Sequence, residues 1–555
     1  MATSYDYIVV GGGTAGSVVA SKLHEKLPTA SILVLEAGEE TVGHPATGEP
    51  LKGVKAHKSE LDWNLSTVPQ PHFGDRVCYQ AAGKGLGGST AINYGTWTRG
   101  PKADYDRWAT LVGDARWSYN QLLPYFPKTE ARSAIEKVDP NLPDKPNTMY
   151  TATPSQSHPK RKYPLREPML EAWTKNGVKY IPDANSGHPM GISERVENFN
   201  QGKRQFAHHI YSLKGIKILT RSTVARIRIE KGPNSRDGSV ATGVELISGL
   251  KLTAKKEVII SAGTYNTPKI LMLSGVGPAK NLIRHGIEPV VDSPEVGQNF
   301  HDHTAVPIAW KLRWPGLNPS FAETMDHPIL KLGWASDWVV FTGLDNQVLR
   351  DAIVKDDINL LEPFSQLLLN PHLCFTETLN FYAPAGTTLA EMDTPMDGSH
   401  ISSTILGVSP ISRGTISLAS QDPLAPPIIN PNYYSTEVDR VAIRTAVRKA
   451  FQVYNTEPLK SLIEGETPPA GFPPLNEHSS DRDIDERVKR VGITFFHPAG
   501  SCAMGMVVDS ECKVYGVKNL RVADASVLPT PIAAHLQQAV YALGARVVDF
   551  MLAKI

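Results

Sequence analysis

The chain opens on an apolar run, Tyr7 to Val10, then a cluster of glycines, then small or apolar residues at Ala15, Val18, Val19 and Leu23. The short apolar run predicts a buried strand, and the spacing that follows predicts a helix with one face packed on it. A second apolar run, "SILVLEAG", predicts another buried strand. Further on, "IKILTRSTVARIRIE" and "VATGVELI" alternate apolar and polar positions around the turn-rich "KGPNSRDGS" and predict an antiparallel pair. "VDRVAIRTAVRKAFQVYN" has helical apolar spacing and contains no Gly or Pro. Residues 130 to 170 and 464 to 481 are rich in Pro, Ser and charge and are read as surface connections. No internal repeat is visible.

At 555 residues the chain exceeds what one hydrophobic core organises, so two domains are expected. Lys+Arg number 57 against 56 Asp+Glu, which gives a nucleic-acid or anionic-membrane partner no global electrostatic support. The four cysteines, Cys78, Cys374, Cys502 and Cys512, form no C-x-x-C pair and are too sparse for a disulfide scaffold; buried thiols are expected. No apolar run approaches the roughly 18 residues of a membrane helix. "MATSY" passes directly into the first strand, so an intracellular, cytoplasmic protein without a signal peptide is expected.

Gly11, Gly13 and Gly16 fit G-x-G-x-x-G between the first strand and helix. The first glycine allows the tight turn, the second a close approach of a pyrophosphate, and the third close packing of helix on strand. Glu36 ends the second strand, twenty residues after Gly16, where a carboxylate accepts the hydroxyls of an adenosine ribose. This spacing predicts a dinucleotide site and leaves NAD and FAD undecided. A second glycine-rich segment, "GKGLGGSTAINYGTWTRGPKADYDRW", spans 83 to 108. Its glycines allow a concave nest of backbone N–H groups, and no Lys-Ser/Thr pair follows them, so it is not a nucleotide-triphosphate loop.

These segments resemble the glucose–methanol–choline (GMC) oxidoreductase family. The match extends through "SAGTYNTPKILMLSGVGP" (261 to 278), "VGQNFHDH" (296 to 303), "SRGTISLASQDPLAPPIINPNYY" (412 to 434), "FFHPAGSCAMG" and "VADASVLPTPIAAHLQQAVYALGARVVDFM" (522 to 551), in family order. It is poorest from about 301 to 400. The resemblance implies an α/β, Rossmann-like FAD-binding domain interleaved with an α+β substrate domain built on an antiparallel sheet. The first is expected over residues 1–160, 205–300 and 486–555, the second over 161–204 and 301–485. It implies FAD contacts at Gly11, Gly13, Thr14, Ala15, Gly16 and Glu36, at Gly88, Thr90, Asn93 and Thr96, at Val224 for the adenine, and at Asp524, Ala525, Leu536 and Gln537. Relatives that bond the flavin covalently do so through a histidine just before this asparagine; here that residue is Ile92, so noncovalent FAD is expected.

The resemblance also assigns the catalytic base to His497 and the second catalytic position to His535. A neutral imidazole near its ordinary pKa of about 6.5 can take the hydroxyl proton of an alcohol as hydride leaves for the flavin. The second imidazole can donate to or accept from the substrate oxygen. Phe495 and Phe496 are read equally as pocket walls and as core. "HDH" at 301 to 303 and "HH" at 208 to 209 lack carboxylate or thiolate partners at ligand spacing, so no metal is expected. Trp310, Trp314, Trp334 and Trp338 are read equally as the walls of a bulky pocket and as core packing. The expected partners are a small alcohol and an oxygen or quinone-type acceptor. The rival reading is a lyase of the hydroxynitrile type on the same scaffold, in which no hydride moves.

Overall fold

The computed structural model describes residues 3–50, 53–131, 148–157, 161–231, 238–315 and 331–553. Its first layer is an eight-stranded sheet. Strand β1 (Ser4–Val10) leads through a glycine turn into helix α1 (Thr14–Lys26) and back to strand β2 (Ile32–Leu35). β1 lies between β2 and strand Lys251–Ile260, parallel to both. Strands with no solvent face need no polar alternation, so Ile8, Val9, Leu33 and Val34 are all fully buried. The expected antiparallel pair is present as Val224–Lys231 against Ser239–Leu246; most of its turn lies outside the described residues.

The second layer is a seven-stranded sheet ordered Ile463–Thr467, Thr304–Leu312, His400–Gly407, Thr376–Phe381, Trp338–Thr342 and Gly191–Glu194, with Ile493–Thr494 also paired to Thr304–Leu312. Every pairing in it is antiparallel. Helix Glu437–Tyr454, capped by the Thr436 hydroxyl, buries Ala442, Ile443, Ala446, Val447, Ala450 and Phe451, the i, i+3/i+4 stripe that its sequence predicts. Ile443, Ala446, Val447, Ala450 and Phe451 share one apolar core with residues of the second sheet.

Three local expectations change. Within 130–170, Thr148–Thr151 is a buried strand, because pairing with Lys128–Ala131 and burial of Met149 and Tyr150 outweigh the polar composition around it. In 464–481, Ile463–Thr467 is a strand held by the register of Thr304–Leu312. The boundary expected at 486 falls inside helix Asp481–Val491, whose buried Ile484, Val488 and Val491 belong to the second core. All four cysteines are buried thiols. Among the described residues no helix is long and apolar enough to cross a membrane.

Candidate active site

Val10 pairs with Leu35 and Ile260, and Ile260 with Val522, all in parallel register. The strands therefore end at one edge, and the residues that follow, Gly11, Glu36, Ser261 and Ala523, meet there. Gly11 has φ +101°, and a Cβ on it would lie 2.3 Å from the Ser261 carbonyl oxygen. Gly88, with φ +52°, comes from the second glycine-rich segment; a Cβ there would lie 2.7 Å from Gly13 Cα. The two backbones face each other with no side chain between them. Helix α1 has no side-chain cap and no acidic residue in its first turn. Its free amides and the bare glycine cradle suit a pyrophosphate.

The carboxylates at this edge are held by backbone amides. Glu36 accepts from the N–H groups of Gly12 and Gly38, each at 2.9 Å, while burial raises its pKa. Asp524 accepts from Gly263 N–H (2.9 Å), the Thr267 hydroxyl (2.6 Å) and Ser526 N–H (2.8 Å), and burial likewise raises its pKa.

A cavity of about 450 Å³ runs from this edge to the second sheet. Every site residue expected from the sequence lines it except Gly16, which stands behind the turn and seats α1 upon it. Asn93 donates to Gln537 Oε1 at 3.0 Å, and Thr96 Oγ1 accepts from the Arg195 guanidinium at 3.0 Å. Ile92, apolar and buried, also lines the cavity.

His497 and His535 meet at the far end, with ring centroids 4.7 Å apart and planes at 74°. Phe495 packs edgewise on both, at 5.5 and 5.6 Å. Sheet register delivers His497: Ile493 and Thr494 pair with Ala305 and Thr304, and the ladder continues as Phe495 N–H donates to the His303 carbonyl at 2.8 Å. The next turn is tight, with Phe496 at φ +60°. Asp302 clamps it, accepting from His497 N–H at 2.8 Å and from the hydroxyls of Thr494 and Tyr433. Burial pushes the Asp302 carboxyl up to about 6. His497 Nδ1 lies 2.9 Å from His303 Nδ1. Burial, reinforced by the imidazoles of His535 and His303, holds the His497 pKa well below its ordinary value, so the imidazole is neutral.

His535 hangs from the second glycine-rich segment. Its N–H donates to Thr98 Oγ1 (2.7 Å), Ala533 N–H donates to Asp104 Oδ2 (2.7 Å), and Arg107 bridges Asp104 and the Pro531 carbonyl. Its Nε2 is 3.0 Å from Glu377 Oε1. Glu377, Leu379 and Phe381 alternate along strand Thr376–Phe381, so they share the face turned to the cavity.

Sequence reasoning missed Glu377, whose signal was a lone carboxylate in the otherwise uncharged strand Thr376–Phe381. It also missed the use of "HDH": His301 Nδ1 contacts the Asn299 carbonyl, Asp302 clamps the turn, and His303 meets His497. Among the described residues no group of three or more His, Cys, Asp and Glu side chains is arranged to hold a metal ion. Of the four tryptophans only Trp334 lines the cavity; Trp310 stacks on Tyr454 in the core, Trp338 is buried and Trp314 is exposed. Phe495 and Phe496 both line it.

The GMC oxidoreductase family models match residues 5–305 and 410–544. The chain is 40% identical to the GMC-type oxidoreductase acuG of Aspergillus aculeatus over 100% of both chains. It is 31% identical to an oxygen-dependent choline dehydrogenase of Staphylococcus xylosus, covering 100% of this chain and 96% of that one. Among solved structures, a formate oxidase variant of Aspergillus oryzae RIB40, studied for modification of its FAD, superposes with a TM-score of 0.84 at 28% identity, covering 100% and 98% of the two chains. Matched by the family's models over more than half its length and by relatives along all of it, the chain belongs to the GMC oxidoreductases and is an FAD-dependent enzyme acting on CH–OH groups.

Proposed function

We propose that the protein oxidises a neutral, apolar alcohol to an aldehyde or ketone, with His497 as general base. The observation that carries this is the 4.7 Å pairing of two imidazoles backed by different partners, an imidazole for His497 and a carboxylate for His535. Such unequal surroundings give the two imidazoles different roles. His497, neutral and lining the cavity, takes the hydroxyl proton. Glu377 fixes a proton on His535 Nε2, which leaves Nδ1 to meet the substrate oxygen.

FAD, when bound, supplies the two-electron oxidant. Gly11, Gly13, Thr14, Ala15 and Gly88 would hold its pyrophosphate, Glu36 its adenosine ribose and Val224 its adenine. Thr90, Asn93, Thr96, Asp524, Ala525, Leu536 and Gln537 would hold the remainder. With Ile92 offering no nucleophile, attachment is noncovalent.

The substrate end is walled by His57, Tyr94, Trp334, Phe381, Phe495 and Phe496, and its rim carries the exposed apolar side chains of Val54, Leu389 and Met396. Aromatic walls suit a flat ring or a quaternary ammonium group. Charge decides between them. The lining carboxylates, Glu36 and Asp524, sit at the strand-edge end, Glu377 is engaged by His535, and Arg195, which borders the chamber, is ion-paired with Glu197, so among the described residues no free carboxylate faces the substrate end. An uncharged aromatic alcohol fits better than choline.

The test is anaerobic mixing of the FAD-loaded enzyme with benzyl-type alcohols, sugars and choline, followed by admission of air and a peroxide assay to identify an oxidase. Aromatic alcohols are expected to bleach the flavin fastest, and His497→Ala to slow bleaching by about 10²- to 10⁴-fold while retaining FAD. Bleaching by no alcohol, or unchanged bleaching in His497→Ala, refutes the reading.

A further inference from the structure

We propose that His303 is a positioning residue that fixes the tautomer of His497, holding its proton on Nδ1 and leaving the Nε2 lone pair for the alcohol. The inference rests on the reading of His497 as the base. The two Nδ1 atoms are 2.9 Å apart and the rings stand at 87°, with centroids separated by 4.9 Å. Across such a contact one nitrogen donates and the other accepts.

The surroundings of His303 determine which. Its ring is 2% exposed, and the backbone carbonyls of Val408 and Ile532 face it. A carbonyl can bond an imidazole only through a ring N–H, and a neutral imidazole has one. Since Nδ1 is taken by His497, that N–H is on Nε2, and Nδ1 of His303 carries the lone pair. Burial keeps the ring neutral, pushing its pKa to about 3, with His535 adding to the effect. His497 must therefore donate from Nδ1. Its proton-accepting nitrogen is Nε2, on the opposite edge of a ring that lines the cavity.

This arrangement has a chemical consequence. When His497 accepts the alcohol proton it becomes an imidazolium with N–H on both nitrogens, and the His303 lone pair stabilises the inner one. The ionisable side chains facing His497 are His303 and His535; Asp302 holds its backbone N–H, and Glu377 stands behind His535. Removing the acceptor destabilises the imidazolium. The acid limb of the reduction rate should then move to lower pH while its plateau falls, because a weaker base accepts the proton less readily.

The direct test is histidine-selective 15N labelling of the FAD-loaded enzyme near neutral pH, with His497→Ala used to assign the signal. The expected spectrum shows His497 protonated at Nδ1 and bare at Nε2; the reverse tautomer overturns the proposal. Kinetics supply a second test by anaerobic flavin reduction. His303→Leu should lose about 10²-fold in the limiting rate constant and shift the acid limb downward. His303→Asn, whose amide oxygen can accept from His497 while its NH2 faces the carbonyls, should recover to within about tenfold of wild type. Equal losses in both variants, or an unshifted limb in His303→Leu, would show a merely structural role. If no alcohol reduces the wild-type flavin, the proposed function fails, yet the labelled spectrum still decides the tautomer. It also decides the matter if His303→Leu does not fold.

Discussion

Replacing Gly16 with alanine tests whether the opening turn docks the cofactor through backbone geometry alone. A Cβ at this position would sit 1.9 Å from the Gly11 carbonyl oxygen and 3.3 Å from Ser261 Cβ. Non-bonded carbon contacts are comfortable near ~3.5 Å, so α1 must retreat from the strand by roughly 1.5 Å. The first-turn amides of Thr14 and Ala15 move with it. A hydrogen bond of about 2.9 Å to a phosphate oxygen would then stretch beyond bonding range. Two charge-assisted bonds at about 1.5 to 3 kcal/mol each amount to roughly 3 to 6 kcal/mol, or about 10²- to 10⁴-fold in FAD affinity. Overpacking adds about 1 to 3 kcal/mol of destabilisation, more than the gain of up to about 1 kcal/mol from putting alanine in a helix. The assay is the flavin-to-protein absorbance ratio after desalting, followed by FAD titration of the apoprotein and a melting curve. Gly465→Ala is the control, since a Cβ there meets nothing within 4 Å. Full FAD content with unchanged affinity in Gly16→Ala would refute the reasoning.

Two further outcomes follow from the catalytic end. Glu377→Gln keeps an acceptor for His535 Nε2 and removes the charge; losing about half the strength of a charge-assisted bond should slow flavin reduction roughly tenfold, with FAD content unchanged, in stopped-flow measurements. Acid should also destabilise the fold. The unfolded chain protonates His303 below about pH 6.5 while the folded protein keeps it neutral to about 3, so the unfolded state binds the extra proton and stability falls as pH drops through this window. At about pH 5 the loss from this one ring is on the order of 2 kcal/mol; chemical denaturation at pH 5 and 7 should show it, and a pH dependence no smaller in His303→Asn would refute it.

What could be read from the sequence was what single positions impose on the backbone. Gly11 and Gly16 announce the turn because any side chain there collides with the main chain. Glu36 is announced by its place at the end of a buried strand. Helix Glu437–Tyr454 is announced by its own apolar stripe. The partners of His497 and His535 are of another kind. His303 reaches His497 because Thr304 pairs with Thr494, a register between segments nearly two hundred residues apart. Glu377 reaches His535 because of where its strand sits in the second sheet. Nothing local specifies either meeting. The same holds for the strands hidden in Thr148–Thr151 and Ile463–Thr467, which exist through their pairing partners, and for the tryptophans, whose spacing cannot say which face turns to the cavity.

The distinction bears on chemistry as well as on folding. The family resemblance casts His497 as the base and His535 as the second histidine at the substrate oxygen. The sheets give the two rings different partners. One is backed by an enclosed imidazole that can only accept, the other by a buried carboxylate that fixes its proton. A ring whose N–H is bound to the partner behind it presents its other, bare nitrogen to the substrate, so the asymmetry of the partners behind two rings 4.7 Å apart decides which nitrogen each presents. In this protein that asymmetry comes from strand register.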